Sequence, residues 1–354
     1  MRYSRRDMKK TNTISLMLAS ALLALGPVAA GAQTSQGALI PHATWDCGMP
    51  QGIPRPEAGR LVFEIEVPLE RAIDVGQTQY GMRRVAVGLD GSVKGSKLSG
   101  LVAPGTLDFE LALANGTVEI EQTLVLQATD GSYVYARNAG TGPNTDDVRI
   151  VMDFEAPEGG VHAWLNSGKF VARRELNAAA MTMRLHVYDV SNVGAAASNG
   201  ALTIAKPNDF PAQPWSYRIK EASEQQGAIL ITENVTLAPS QRVGASKRGD
   251  RNIIPITGGT VSGRISGKVL MGGADYQILM PPPATIDAHY LWETDGGEII
   301  IVRNGGSFGA LVPTFEARVD GPYAYLNKGS YLSSNPGRGE GGVALTFYES
   351  VSGR

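Results

Sequence analysis

Apolar and polar residues alternate with a period of two through most of this chain. Phe63, Ile65 and Val67 alternate with Glu64 and Glu66, and Leu185 and Val187 alternate with Arg184 and His186. Asp287, His289, Leu291 and Glu293 hold one phase of a run whose other phase is Ala288, Tyr290 and Trp292. Successive side chains of a strand point to opposite faces, so this alternation predicts short β-strands. Asp90-Gly91, Asn115-Gly116, Asp130-Gly131 and Asp320-Gly321 supply turns between the runs. Long 3.6-residue periodicity is absent, and the Ala-rich stretches near Ala178 and Ala195 read as loop and linker. The pattern excludes a doubly wound fold and predicts an all-β protein.

The run of strands is written twice. Gly91 to Gly95 (GSVKG) matches Gly259 to Gly263 (GTVSG), and Asp108-Phe109 matches Asp275-Tyr276. Glu121 then matches Asp287, and RNAG from Arg137 matches RNGG from Arg303. Phe154-Glu155 pairs with Phe315-Glu316, and AWLN from Ala163 pairs with AYLN from Ala324. So many matches in one order indicate duplication of a whole domain rather than a short-period solenoid. Residues 59–190 form the first unit and 227–350 the second, with linkers at 33–58 and 191–226, the latter holding Pro207, Pro211 and Pro214. Each unit reads as about eight to nine antiparallel strands. Closing such a sheet removes its edges, which predicts two tandem antiparallel β-barrels, with a two-sheet sandwich as runner-up.

The second unit carries GDRNIIPITGGTVSG from Gly249, VLMGGADY from Val269, IDAHY from Ile286, IVRNGG from Ile301 and YLN from Tyr325. In these residues it resembles the bacterial domain-of-unknown-function 3237 family. The resemblance implies a small antiparallel β-barrel and implies no activity. The first unit resembles a diverged copy, with GTLD from Gly105 in place of GGAD and Glu121-Gln122-Thr123 in place of Asp287-Ala288-His289. A working site is therefore expected in the second unit.

Residues 1–32 read as an export signal: a basic stretch from Arg2 to Lys10, an apolar run from Ile14 to Ala30, and Ala30-Gly31-Ala32 as a cleavage pattern. The Arg5-Arg6 pair makes Tat export an alternative to Sec, and the expected location is periplasmic or secreted. Arg2, Arg5, Arg6, Lys9, Lys10 and Asp7 leave with the signal, so the net charge moves from −2 to −6. An acidic chain without a basic face excludes nucleic acid, and no later stretch suits a membrane span. The expected partner is a small organic ligand. Cys47 is the only cysteine, so no intrachain disulfide forms, and it reads as a free thiol in a linker. The four histidines show no ligand spacing, no metal site is expected, and no dinucleotide or phosphate-loop pattern calls for an organic cofactor.

Arg303 shares a strand face with Ile299 and Ile301 and is assigned, like Arg137, an inward ion-pairing role; Asn304 and Asn138 are assigned to turns. Ile300 and Val302 make the strand apolar on both faces, so its outer face is expected to lie under the other barrel or a second chain, giving an intrachain pseudo-dimer or a homo-oligomer. Asp287 either lines a polar lumen or faces solvent, and Glu293 is expected in solvent. Asp275, Glu316 and Asn327 are further candidates, with capping, solvation and a strand-end hydrogen bond as their ordinary roles, and Tyr290 and Trp292 would add ring surface for a ligand. Were Asp287, Asp275 and Arg303 to share a pocket, one carboxylate would act as base, the other as acid, and Arg303 would stabilise an enolate, with His289 as substitute base. The GGSFG stretch from Gly305 lacks a strand-turn-helix setting and reads as a loop. The leading function is small-molecule binding in the second barrel; an acid-base lyase or isomerase, and a cell-envelope interaction module, are the alternatives. On this reading loss of Arg303 or Asp287 abolishes binding, and loss of Arg137 or Glu121 does not.

Overall fold

Strands dominate because β-branched and aromatic residues alternate with polar ones and glycine-bearing turns separate the runs. The computed structural model describes residues 49, 52–114, 116–145, 147–194, 201 and 219–352. Residues 1–32, which the sequence reading expects to be an export signal, and Cys47 lie outside the described residues. The first unit contains β1 (Arg60–Gln77), β2 (Met82–Gly88), β3 (Gly91–Gly95), β4 (Gly100–Ala112), β5 (Val118–Ala128), β6 (Tyr133–Gly142), β7 (Arg149–Glu155), β8 (Phe170–Asn177) and β9 (Thr182–Asp189). Every pairing is antiparallel, and β9 returns to β1, which closes an eight-strand barrel through β1, β3, β4, β5, β6, β7, β8 and β9. The remaining strand, β2, pairs with the far end of β1 and with β4.

The second unit contains β10 (Glu224–Leu237), β11 (Gln241–Ser246), β12 (Gly249–Gly263), β13 (Gly267–Val269), β14 (Ala274–Ile278), β15 (Thr285–Thr294), β16 (Ile299–Ser307), β17 (Val312–Glu316), β18 (Tyr331–Ser333), β19 (Gly337–Gly339) and β20 (Gly342–Ser352). The long β12 does the work of β2 and β3 together: its first half pairs with β14 and its second half with β10 and β13. The ring closes between β17 and β18, where Ser333 N–H donates to Leu311 O at 3.0 Å. The protein is thus all-β, two antiparallel barrels in tandem.

Each barrel has its own core. Phe63, Ile65, Leu124, Leu126, Phe154, Phe170 and Leu185 fill the first, with Phe154 edge-on to Phe63 and Phe170. In the second, Trp292, wholly buried, sits 5.2 Å from Phe315 and 5.8 Å from Phe347 between ring centroids. Such ring pairs add about 0.5–1.5 kcal/mol each to the burial of their area. Asn166 and Asn327 hold the same place in the two copies. Each side chain accepts from and donates to one backbone unit, Ala156 or Ala317, at 2.8–3.0 Å, pinning the short 3-10 turn that follows β7 or β17. Asn327 therefore performs a strand-end role.

Two further apolar clusters join the barrels. Val75, Val85, Val87, Leu107 and Phe109 pack on Leu270, Leu291 and Ile301. Ala103, Val125 and Tyr135 pack on Val243, Ile253, Ala274 and Tyr276. The face of β16 that holds Ile299 and Ile301 is therefore the outer one, and the first barrel covers it. The backbone approaches closely here: a Cβ on Gly273, whose φ is +76°, would stand 2.0 Å from His289 O and 2.7 Å from Leu107 Cδ1.

Candidate functional site

The period of two decides where each candidate side chain goes. Ile300, Val302 and Asn304 of β16 face the second lumen, so Arg303 faces out, contrary to the inward role expected from sequence. There it meets Glu121 of the first barrel, Nη2 to Oε2 2.6 Å, with its guanidinium 5.1 Å above the Phe109 ring. Arg137 makes the reciprocal pair with Asp287 at 3.4 Å, and His289 Nε2 lies 2.7 Å from the other Asp287 oxygen. A second reciprocal set flanks this one. Arg83 forks onto Glu316 at 2.8 and 2.9 Å with Thr78 donating at 2.6 Å. Arg251 forks onto Glu155 at 3.0 and 2.7 Å with Ser246 donating at 2.7 Å.

Asp287 thus lines neither a lumen nor solvent; it is buried between the barrels. Burial opposes its ionisation, yet His289, Arg137 and Arg303 outweigh burial and hold its pKa below the ordinary value. Burial likewise opposes ionisation of Glu121, and Arg303, His289 and Arg137 bring its pKa down. Glu155 falls to about 2 against the same burial cost, chiefly through Arg251. Four of the sequence-derived candidates, Arg303, Asp287, His289 and Glu316, therefore belong to one buried charge layer. Copy-specific loss on Arg303→Ala or Asp287→Asn is not what this layer implies, because each of those groups is tied to Arg137 or Glu121 of the other copy.

Asp275 lies on the opposite side of the sheet from Asp287. In the β14–β15–β16 ladder Asp275 stands beside Ala288, which stands beside Asn304, while Tyr276 stands beside Asp287. Asp275, Asp287 and Arg303 thus do not share a pocket. Asn304 is not a turn residue either: it is a strand residue, buried, donating to Ser333 Oγ at 3.1 Å. Asn138 is buried in β6 in the same way.

The second lumen holds a polar group that the first lacks. Glu233 of β10 accepts from Tyr290 Oη at 2.6 Å and from Trp292 Nε1 at 2.9 Å. Burial lifts its pKa to about 7 despite those two hydrogen bonds. By strand register the first barrel has Ile65, Leu124 and Leu126 at these places. Further along, Ser240, Asn252, Gln277 and Asp275 form a hydrogen-bonded row, Asn252 donating to Gln277 at 2.9 Å and Gln277 to Asp275 Oδ2 at 2.8 Å. Burial raises Asp275 to about 6, and the Gln277 bond only moderates it. Its Oδ1 atom is buried without a hydrogen-bond partner, and so is Asn304 Oδ1.

The matching place in the first barrel is occupied by the protein itself. Gln122 stands where the second barrel has Ala288; it donates to Asp108 at 2.7 Å and accepts from Asn138 at 2.8 Å. Arg174 of β8 completes the closure, reaching Asp108 at 2.5 and 3.1 Å and Glu110 at 3.0 Å. Counted along the chain from β18, its counterpart is Asn335, which lies beyond the strand, is exposed and accepts from the Gly309 N–H at 2.6 Å.

Sequence reasoning named Asp275, Tyr290 and Trp292 but missed Glu233, Gln277, Asn252 and the inward Asn304. One signal was available: Glu233 falls on the apolar phase of Ile231, Glu233 and Val235, where a charge is out of place.

The family model described as Protein of unknown function (DUF3237) matches residues 58–153 and 228–310. A UPF0311 protein of Rhodopseudomonas palustris is 52% identical over 60 residues, 16% of this chain and 39% of that protein. A UPF0311 protein of Clostridium acetobutylicum is 29% identical over 80 residues, 22% of this chain and 51% of that protein. The chain spans about two fifths to one half of the length of these curated relatives. Among solved structures, a protein with unknown function from Clostridium acetobutylicum is 23% identical with a TM-score of 0.32, covering 37% of this chain and 96% of that one. A β-barrel-like protein from Acinetobacter baumannii is 20% identical with a TM-score of 0.32, covering 37% of this chain and 94% of that one. One segment in each barrel, together just over half of the chain, fits the family model, and the chain belongs to the DUF3237 family.

Proposed function

We propose that this chain is an exported protein that binds a small organic molecule inside its second barrel. One observation carries the binding part: Gln122, which donates to Asp108 in the first lumen, is replaced by Ala288, and beside that methyl group Asp275 Oδ1 is buried without a hydrogen-bond partner. Buried polar atoms are normally paired, and a barrel of about eight strands has room for one small ligand. Tyr290, Trp292 and Phe347 supply ring surface in the same interior. The export part rests on the order of charge, apolar run and Ala30-Gly31-Ala32 in the first 32 residues.

The acid-base alternative loses the trio it was built on, since Asp287 and Arg303 face the other barrel and Asp275 faces the lumen. The test is a thermal-shift screen of small metabolites against the full mature chain, repeated on Ala288→Gln, which restores the first barrel's bridge. Hits should vanish in Ala288→Gln and persist in Gln122→Asn. Hits indifferent to Ala288→Gln would place binding elsewhere and sink the reading. Mass spectrometry of the exported protein checks the rest: an N-terminus near Gln33 is expected, and an intact Met1 in the envelope fraction would refute export processing.

A further inference from the structure

The first lumen shows what kind of group satisfies this site. Asp108 there is engaged on both oxygens, by the Gln122 amide on one and by the Arg174 guanidinium on both. Arg174 is itself buried, its side chain 6% exposed, and it lies between two carboxylates, Asp108 and Glu110. In the second lumen Glu110 becomes Gln277, whose amide serves Asp275 Oδ2 alone. One oxygen, Asp275 Oδ1, is left open, whereas both oxygens of Asp108 are engaged. No cation of the second barrel is recorded as an ion-pair partner of Asp275 among the described residues, whereas Asp108, Glu121, Glu155 and Asp287 each have an arginine.

We propose that the ligand of the second barrel carries a planar nitrogen cation, a guanidinium or amidinium, which docks on Asp275 as Arg174 docks on Asp108. The proposal rests on the lumen-binding reading above. Its physical basis is threefold. A carboxylate oxygen buried without a donor is costly, and a forked donor matches two carboxylate oxygens better than a point charge. The open atom, Asp275 Oδ1, is an acceptor, so the ligand must bring a donor. The Tyr290, Trp292 and Phe347 rings beyond would take an apolar body attached to the cation, as expected of a mostly apolar lumen with a few polar anchors.

The experiment titrates the full mature chain by calorimetry with paired probes of like shape: benzamidine against benzamide, and methylguanidine against methylurea. The cationic member of each pair should bind at least about tenfold tighter than the neutral one, the value of a hydrogen bond to a charged group. Asp275→Asn should weaken the cation by about ten- to a hundredfold, and Asn335→Arg should block it by supplying the first barrel's own plug. Conversely, Gln122→Ala with Arg174→Ala should admit a second molecule per chain. Equal or better binding of the neutral members, lost in Ala288→Gln, would overturn the cation proposal while the lumen reading stands. Cation binding unaffected by Asp275→Asn would overturn it as surface adsorption, and binding of neither member of either pair at millimolar concentration would overturn it too.

Discussion

Replacing Arg303 by methionine removes one cation from a layer where every charge is answered across the two barrels. The side chains of Arg303 and Glu121 are 3% and 6% exposed, so Glu121 would stay buried with only Arg137, already engaged with Asp287, and His289 nearby. Removing one partner of a buried pair costs about 3–5 kcal/mol, far more than the 0–1 kcal/mol of an exposed pair. Loss of the guanidinium over Phe109 adds about 0.5–2 kcal/mol. For a chain of this size each kcal/mol moves the melting point by about 2–4 °C or less, so a fall on the order of 10 °C is expected. Arg137→Met should cost about as much, because it strands Asp287 in the same way. The decisive measurement is a double-mutant cycle: Glu121→Gln with Arg303→Met should be less destabilised than Arg303→Met alone, since the stranded charge is gone. Thermal unfolding followed by circular dichroism reads all four species. Additive costs in the cycle, or a single-variant loss below about 1 kcal/mol, would show that the layer is hydrated like a surface pair and would refute the reasoning.

Three other expectations follow from the same geometry. Glu233 has a folded pKa of about 7, above its unfolded value of about 4.5, so the folded state holds a proton that the unfolded state has released in that window. Stability should therefore fall from pH 4.5 to 7 by on the order of 3 kcal/mol, and Glu233→Gln should be more stable than the parent at pH 8, with a flatter profile in denaturant titrations. Glu155 titrates the other way, at about 2 when folded, so its contribution is present above about pH 4.5 and lost as pH falls toward 2; Arg251→Met should raise the midpoint of acid unfolding. Gly273→Ala forces a left-handed backbone on alanine and drives its Cβ onto His289 O, and a loss of more than about 2 kcal/mol in urea unfolding is expected.

The duplication and the strand class were legible because matching residues and a period of two survive in both copies. The sign of each face was not. A strand such as Ile299 to Asn304 is apolar on both phases, and nothing within it says which side is the lumen, so Arg303 was assigned inward when it faces the other barrel. Asn304 was hidden by its neighbours: Asn before Gly is the usual signature of a turn, and here the strand runs on through Ser307. The ion pairs were beyond reach for a different reason. Arg303 finds its acid at Glu121, 182 positions earlier and in the other copy, and spacing within one unit carries no trace of that. Gln122 opposite Ala288 was visible as a difference, but its meaning needed the ladder that sets each between an aspartate and an asparagine.

The crossed charge layer also governs how such a gene can change. Arg83 and Arg251, Arg137 and Arg303, and Glu155 and Glu316 are the same residue in both halves, Asp287 and Glu121 differ by a methylene, and His289 has Thr123 as its counterpart. The lumens, by contrast, exchange Ile65 for Glu233, Gln122 for Ala288 and Arg174 for Asn335. A change in one copy's layer strands a charge in its sibling, so those positions are held in step by mutual dependence. A change in a lumen is felt only by the copy that suffers it. Within one chain the two interiors thus differ in their side chains while the arginines of the seam between them are alike in both halves.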